Sequence, residues 1–118
     1  ISAIVLTNTT NKNRDNLHGK TRKEEGGLSG KPLQQISTNM IKKFYKELQG
    51  QIPIIGVGGV SSGKSAYEKL IAGASLLQLY TSLVYEGPLV VKKIKKELIQ
   101  ILKTEGITNL KEVIGKDA

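Results

Sequence analysis

The fold is decided by the stretch Ile52-Pro53-Ile54-Ile55-Gly56-Val57-Gly58-Gly59-Val60-Ser61-Ser62-Gly63. It opens as a short apolar run rich in β-branched residues, which is typical of a parallel strand buried on both faces. Two adjacent glycines then leave the backbone bare, and serines follow that can cap a helix. Bare backbone at this point lets an anion approach main-chain N–H groups, so the stretch indicates a phosphate site. The same glycines also fit a tight turn that needs positive φ and binds nothing.

Two further apolar runs, at residues 4–6 and 76–80, resemble the strand at residues 52–57. A helical pattern follows each run. Strict alternation of apolar strands and helices indicates an α/β fold with a parallel sheet. Since a closed TIM (β/α)8 barrel needs eight such units, the pattern predicts that this chain is the last three β/α units of a barrel.

The predicted helices have clear boundaries. Ser37 or Thr38 can cap the first helix, and Ser61 or Ser62 can cap the second. A short helical turn is expected from Thr81, and a long helix after Gly87-Pro88. That long helix is predicted to face inward with Val91, Ile94, Leu98, Ile101 and Leu102, and a last short helix is predicted over residues 110–114.

Composition narrows the classes of function. The chain has 118 residues, no cysteine, a single histidine and a net charge of +8. Without cysteine there is no disulfide or thiolate chemistry, and His18 by itself cannot build a metal site. The lysines are spread over predicted helices and loops without interleaved aromatics, which favours solvated helix surfaces over a nucleic-acid platform. The opening residues indicate a piece of a longer chain.

The barrel prediction supports the phosphate hypothesis independently. In TIM barrels a phosphate commonly lies between the loops after the last two strands and the start of a short extra helix. Here those parts are Gly58-Gly59, Tyr80-Thr81 and the helical turn from Thr81. A long polar loop over residues 12–25 and a glycine-rich segment over residues 26–33 complete the same end of the predicted barrel.

Several linked motifs resemble the dihydroorotate dehydrogenase family, in order, over essentially the whole chain. They are Thr7-Asn8-Thr9, Gly26-Gly27-Leu28-Ser29-Gly30-Lys31-Pro32-Leu33, the stretch from Ile54 to Gly63, Ala72-Gly73-Ala74-Ser75 and Gln78-Leu79-Tyr80-Thr81. The form Gly-Gly-Leu-Ser-Gly-Lys-Pro-Leu resembles the class 2, quinone-linked branch. The pair Asn13-Arg14 departs from the family, which usually has Arg-Pro there.

The resemblance implies an FMN-dependent oxidoreductase acting on CH–CH groups. Such an enzyme oxidises dihydroorotate to orotate in de novo pyrimidine biosynthesis, toward UMP, and passes electrons to ubiquinone or another membrane quinone. Residues 1–118 would be the C-terminal part of a single FMN-binding barrel domain, with no separate domain boundary. Peripheral attachment to a bacterial inner membrane, on its cytoplasmic side, or to the mitochondrial inner membrane would come from an N-terminal part outside this sequence.

Carried over position by position, the resemblance also implies site residues. Asn8 and Thr9 would hydrogen-bond the orotate, since an Asn side chain supplies both a donor and an acceptor. Tyr80, Leu83 and Pro88 would lie at the quinone site. FMN would be bound by Thr7, Ser29, Gly30, Val57, Gly58, Gly59, Leu79, Tyr80 and Thr81. No metal ligand is implied, and the family's serine base would lie on an earlier loop outside this sequence.

Two other interpretations remain open. Another FMN- or phosphate-binding barrel, such as class 1 dihydroorotate dehydrogenase or a dihydropyrimidine dehydrogenase domain, would share the glycine motifs. The segment Lys31-Pro32-Leu33 argues against that rival. A basic, non-enzymatic nucleic-acid-binding fragment would fit the net charge of +8, but the glycine motifs and the scattered lysines favour an enzyme without a nucleic-acid partner.

Overall fold

Residues 1–11, 17–20, 23 and 25–118 are described by a computed structural model. The described residues form three strands, β1 (Ile4–Leu6), β2 (Ile54–Val57) and β3 (Ala74–Gln78). Their helices are α1 (Gln34–Leu48), α2 (Gly63–Ala72), α3 (Thr81–Glu86) and α4 (Leu89–Thr104), with 3-10 turns at Lys31–Leu33 and Leu110–Glu112. Asn13-Arg14 and much of the predicted loop over residues 12–25 lie outside the described residues.

The strands form one parallel sheet in the order β1-β2-β3. This confirms the predicted α/β class and the parallel sheet, and it places the carboxyl ends of all three strands at one edge. Strand β3 covers Ala74–Gln78 and not the predicted residues 76–80. The chain bends out of the sheet at Leu79 and Tyr80 to enter α3.

The core lies on one face of the sheet. Ile54 of β2 and Ala74 of β3 pack with Ile41 of α1 and Ala72 of α2 in one buried cluster. A second cluster joins α2 to α4 through Val60, Ala66, Val90 and Ile94. The side chain of Leu77 packs against both clusters, so it connects the two halves of the core. Burial of this apolar surface is the main force that holds the helices to the sheet.

The opposite face of the sheet is the more exposed one among the described residues. Val5, Ile55 and Leu76 are paired in register across the three strands. Val5 is 52% exposed and Leu76 is 62% exposed. In β2 itself Ile54 and Gly56 are buried and Ile55 and Val57 are half-buried, and α1 and α2 pack on the face that carries Ile54 and Ala74.

Three helix predictions need correction. Helix α1 begins at Gln34, because the 3-10 turn containing Pro32 runs directly into it. Neither Ser37 nor Thr38 is a cap: Ser37 donates a hydrogen bond to the Val57 carbonyl. In α4 Val90 and Ile94 are buried, while Val91, which was predicted to face inward, is 37% exposed. The predicted last helix over residues 110–114 is only a 3-10 turn over Leu110–Glu112.

Ser62 caps α2 and is one of the two residues predicted for this role. Its hydroxyl accepts a hydrogen bond from the Ser65 N–H at 3.1 Å. The Ser65 hydroxyl accepts in return from the N–H groups of Ser62 and Ser61, each at 3.0 Å. This reciprocal capping box satisfies donors that a helix start leaves without partners. It anchors α2 directly behind the glycine turn.

We expect Ser65→Ala to lower the free energy of unfolding by about 2 kcal/mol, because two N–H groups lose their acceptor at a buried site. Chemical denaturation of the purified variant measures this. Lys64→Ala is the matched control, since Lys64 is exposed on the same turn of α2, and its effect should stay within about 0.5 kcal/mol. Equal effects of the two substitutions would contradict the prediction.

Candidate functional site

A cleft of about 620 Å³ opens at the carboxyl ends of the three strands. Parallel strands end at the same edge of a sheet, so the segments that follow them converge there. The cleft is lined by Thr7, Asn8 and Thr9 after β1, by residues 57–61 after β2, by residues 79–82 after β3, and by the glycine-rich segment over residues 28–33. Its volume lies within the usual range of small-molecule sites, about 300–1,000 Å³.

The glycine turn after β2 packs directly on the start of α1. Gly58 has φ of 120°, and a Cβ atom there would lie 3.0 Å from the side chains of Leu33 and Ser37. Gly59 has φ of 73°, and its Cβ would lie 2.7 Å from Cα of Gln34 and 3.0 Å from its backbone nitrogen. No side chain fits between the two segments. The wall of the cleft here is therefore main chain, as the phosphate hypothesis requires.

Polar side chains follow β1 along the cleft. Thr7 Oγ1 is buried and has no hydrogen-bond partner within the described part of the chain. Asn8 Oδ1 accepts a hydrogen bond from the Thr9 N–H at 2.7 Å, and both residues are exposed. A Cβ atom at Gly27 would overlap the Thr9 side chain. The glycine-rich segment thus lies against the polar residues that follow β1.

A hydrogen bond joins the glycine-rich segment to α3. Ser29 Oγ and Thr81 Oγ1 lie 2.7 Å apart. A Cβ atom at Gly30, where φ is 78°, would lie 2.8 Å from Cγ2 of Thr81. Ser82 Oγ donates a hydrogen bond to the Val60 carbonyl at 2.6 Å. These contacts hold the start of α3 beside the glycine turn.

The cleft brings together most of the predicted site residues. All of the predicted FMN- and orotate-binding positions line it: Thr7, Asn8, Thr9, Ser29, Gly30, Val57, Gly58, Gly59, Leu79, Tyr80 and Thr81. Of the predicted quinone-site residues, Tyr80 lines the cleft, whereas Leu83 and Pro88 are not among its lining residues. Their roles stay predictions. The sequence reasoning did not predict that Tyr85 and Glu86 line the cleft.

A buried lysine behind the glycine turn was also missed. Lys69 of α2 has no exposed surface. Its Nζ donates hydrogen bonds to the Gln34 carbonyl at 3.2 Å and to Thr38 Oγ1 at 3.0 Å. Burial lowers the pKa of Lys69 from 10.5 to about 8, against the opposing attraction of Glu68. The helical spacing of Ala66 and Lys69 on one face could have indicated this position.

This lysine makes stability depend on pH in a defined direction. Because the folded pKa of Lys69, about 8, lies below the ordinary 10.5, the folded state binds fewer protons between these values. Stability relative to Lys69→Met should therefore be constant below pH 8 and rise from pH 8 to 10.5. Parallel denaturation series of both proteins measure the difference. A difference that falls over that window would contradict the burial of Lys69.

Residues 1–11, 17–20, 23 and 25–118 hold neither a metal-binding cluster nor a membrane-spanning helix. No group of three His, Asp or Glu side chains among them is placed to hold a metal ion. Over the same ranges, no helix combines the length and the apolar character that crossing a bilayer requires.

A family model described as dihydroorotate dehydrogenase matches residues 1–102. The chain belongs to the dihydroorotate dehydrogenase family. Curated relatives include the mitochondrial dihydroorotate dehydrogenase (quinone) of Mus musculus, 52% identical over 117 residues, and that of Arabidopsis thaliana, 45% identical over 118 residues. Dihydroorotate dehydrogenase (quinone) of Deinococcus radiodurans is 42% identical over 115 residues.

Solved structures give the same family. The ligand-free dihydroorotate dehydrogenase (DHODH) of Eimeria tenella superposes on this chain with a TM-score of 0.93 at 41% identity. The superposition covers 99% of this chain and 32% of the Eimeria chain. The same enzyme in complex with ferulenol also has a TM-score of 0.93. Alignments cover 99% of this chain but only 30% of the mouse protein and 26% of the Arabidopsis protein. The chain thus spans less than a third of the length of these relatives.

Proposed function

We propose that this chain is the C-terminal part of a single FMN-binding (β/α)8 barrel domain of a class 2, quinone-linked dihydroorotate dehydrogenase. The observation that carries the proposal is the cleft in which bare main chain after β2, the start of α3 and a buried threonine hydroxyl converge. The three curated relatives above, whose names include quinone, support it. Nothing favours the class 1 or nucleic-acid-binding alternatives.

The residues present fit FMN. Thr7 Oγ1 is a buried polar atom without a partner among the described residues, and burying such an atom is costly unless a ligand completes its hydrogen bond. Gly58 and Gly59 line the cleft with main chain, where N–H groups can approach a phosphate. FMN would be held by Thr7, by Ser29 and Gly30, and by the main chain of residues 57–59 and 79–81. When bound, FMN supplies the hydride acceptor for dihydroorotate and donates the electrons to a quinone.

This chain's own residues bind and orient the substrate. Asn8 and Thr9 are exposed at the cleft, where their donors and acceptors can match the edge of a flat orotate ring. The local hydrogen bond from the Thr9 N–H to Asn8 Oδ1 restrains the Asn8 side chain, which limits the entropy lost on binding. These cleft residues bind and orient the substrate, and the base that removes its proton would belong to another part of the complete protein.

We also propose that a quinone binds near α3. Tyr80 is 73% exposed at the cleft, and Leu83 and Pro88 are exposed farther along the same segment. Their apolar surface is suited to a hydrophobic acceptor that arrives from a membrane. We propose peripheral association of the complete protein with a bacterial or mitochondrial inner membrane through its N-terminal part, and a place in pyrimidine biosynthesis.

The test is an absorbance spectrum of the complete protein that carries this sequence. We expect flavin bands that bleach when dihydroorotate is added without oxygen and return when a quinone analogue follows. Buffer without quinone is the control for slow reoxidation. A colourless protein, or a bound flavin that does not respond to dihydroorotate, would contradict the proposal.

A further inference from the structure

Two successive residues of α2 bind the same residue of α1. Glu68 Oε2 accepts a hydrogen bond from the Gln34 side-chain Nε2 at 2.9 Å. Lys69 Nζ donates to the Gln34 carbonyl and to Thr38 Oγ1, which itself donates to the Gln34 carbonyl at 2.9 Å. Side chain and main chain of Gln34 are thus both held from α2. Such connected networks are stiffer than single hydrogen bonds.

Gln34 in turn forms the surface against which Gly59 packs. A Cβ on Gly59 would strike the Cβ, the Cα and the backbone nitrogen of Gln34. Gly59 belongs to the main-chain wall of the cleft, and α2 begins at Gly63, four residues later. The turn is therefore enclosed between its own helix and Gln34, with Lys69 joining the two.

We propose that Lys69 is a positioning residue for the phosphate-binding turn: through Gln34 it sets where the main chain of Gly58 and Gly59 meets the FMN phosphate. This rests on the proposed function. Lys69 is not among the residues that line the cleft, and it acts by holding Gln34. A pKa of about 8 leaves it mostly protonated at neutral pH, so its hydrogen bonds are charge-assisted and stronger than neutral ones.

The experiment compares two flavins that differ only in the phosphate. Affinities of FMN and riboflavin for the flavin-free complete protein are measured by fluorescence quenching. We expect Lys69→Met to weaken the binding of FMN by roughly tenfold and that of riboflavin by less than twofold, because only FMN carries the phosphate that the turn would bind. Lys64→Met is the matched control, because it removes the same charge from an exposed position of α2 and should change neither affinity.

A second pair of variants applies if Lys69→Met does not fold. Thr38→Val removes one acceptor of Lys69, and Thr38→Ser retains it; FMN should bind more weakly to Thr38→Val alone. If FMN and riboflavin lose affinity by the same factor, or neither changes, Lys69 is merely structural and the inference is overturned. If the unmutated protein binds neither flavin, the proposed function itself fails, and the inference with it.

Discussion

Gly59→Ala is expected to destabilise the protein by about 3 kcal/mol and to abolish flavin retention. The new Cβ would lie 2.7 Å from Cα of Gln34, which is backbone and cannot rotate away. Overpacking of this kind costs about 1–3 kcal/mol, and a φ of 73° adds about 1 kcal/mol for any residue with a Cβ. The first turn of α1 would have to shift, and the main-chain wall would shift with it.

Gly106→Ala is the matched control for this experiment. Gly106 also has a positive φ, of 70°, but nothing lies within 4 Å of its Cβ position. Its substitution should cost only about 1 kcal/mol and leave the flavin bound. Denaturation curves and absorbance spectra of the two variants separate backbone strain from close packing. If both variants lost similar amounts of stability and of bound flavin, the contact with Gln34 would not be the cause.

Thr7→Val is expected to act in opposite directions on stability and on binding. Valine has nearly the same shape but lacks the hydroxyl, which is buried without a partner among the described residues. Removing such a group should raise the stability of the flavin-free protein by about 1 kcal/mol. FMN affinity should fall about tenfold, because the hydroxyl would no longer complete a hydrogen bond to the cofactor.

Thermal unfolding without flavin and a flavin titration measure the two effects. Thr7→Ser retains the hydroxyl and is the control for affinity. If Thr7→Val lowers stability and leaves FMN affinity unchanged, then Thr7 Oγ1 has a structural partner and the proposed contact with the cofactor is wrong. Because the two signs are opposite, general damage to the fold cannot imitate the expected result.

Local chemistry made much of the fold predictable. The β-branched run at Ile54–Val57, the serine cap of α2 and the helix after Pro88 each depend on neighbouring residues only. The predicted end of β3 and the predicted start of α1 were wrong, because tertiary contacts override local preference. Ser37 can cap a helix, but its hydroxyl bonds to the Val57 carbonyl of β2.

The candidate site was predictable where glycines and polar residues follow strands. Thr7, Ser29, Gly59 and Thr81 all line the cleft, and their roles in binding FMN stay predictions. Lys69 was not predicted, because a lysine on a helix is usually exposed, and its burial depends on the packing of α1 against α2. Tyr85 and Glu86 line the cleft because the chain bends out of the sheet after β3 and enters α3. The periodicity of a strand does not predict such a bend.

The sequence by itself determined the alternation of strands and helices and the glycine turn after β2, because period, capping and bare backbone are local properties. Its linked motifs also resembled the dihydroorotate dehydrogenase family. Only the tertiary structure decided that Gln34 lies against Gly59, that Lys69 is buried behind them, and that the hydroxyl of Thr7 lacks a partner among the described residues. Such contacts join residues far apart in the chain, and only the packing of the folded molecule brings them together.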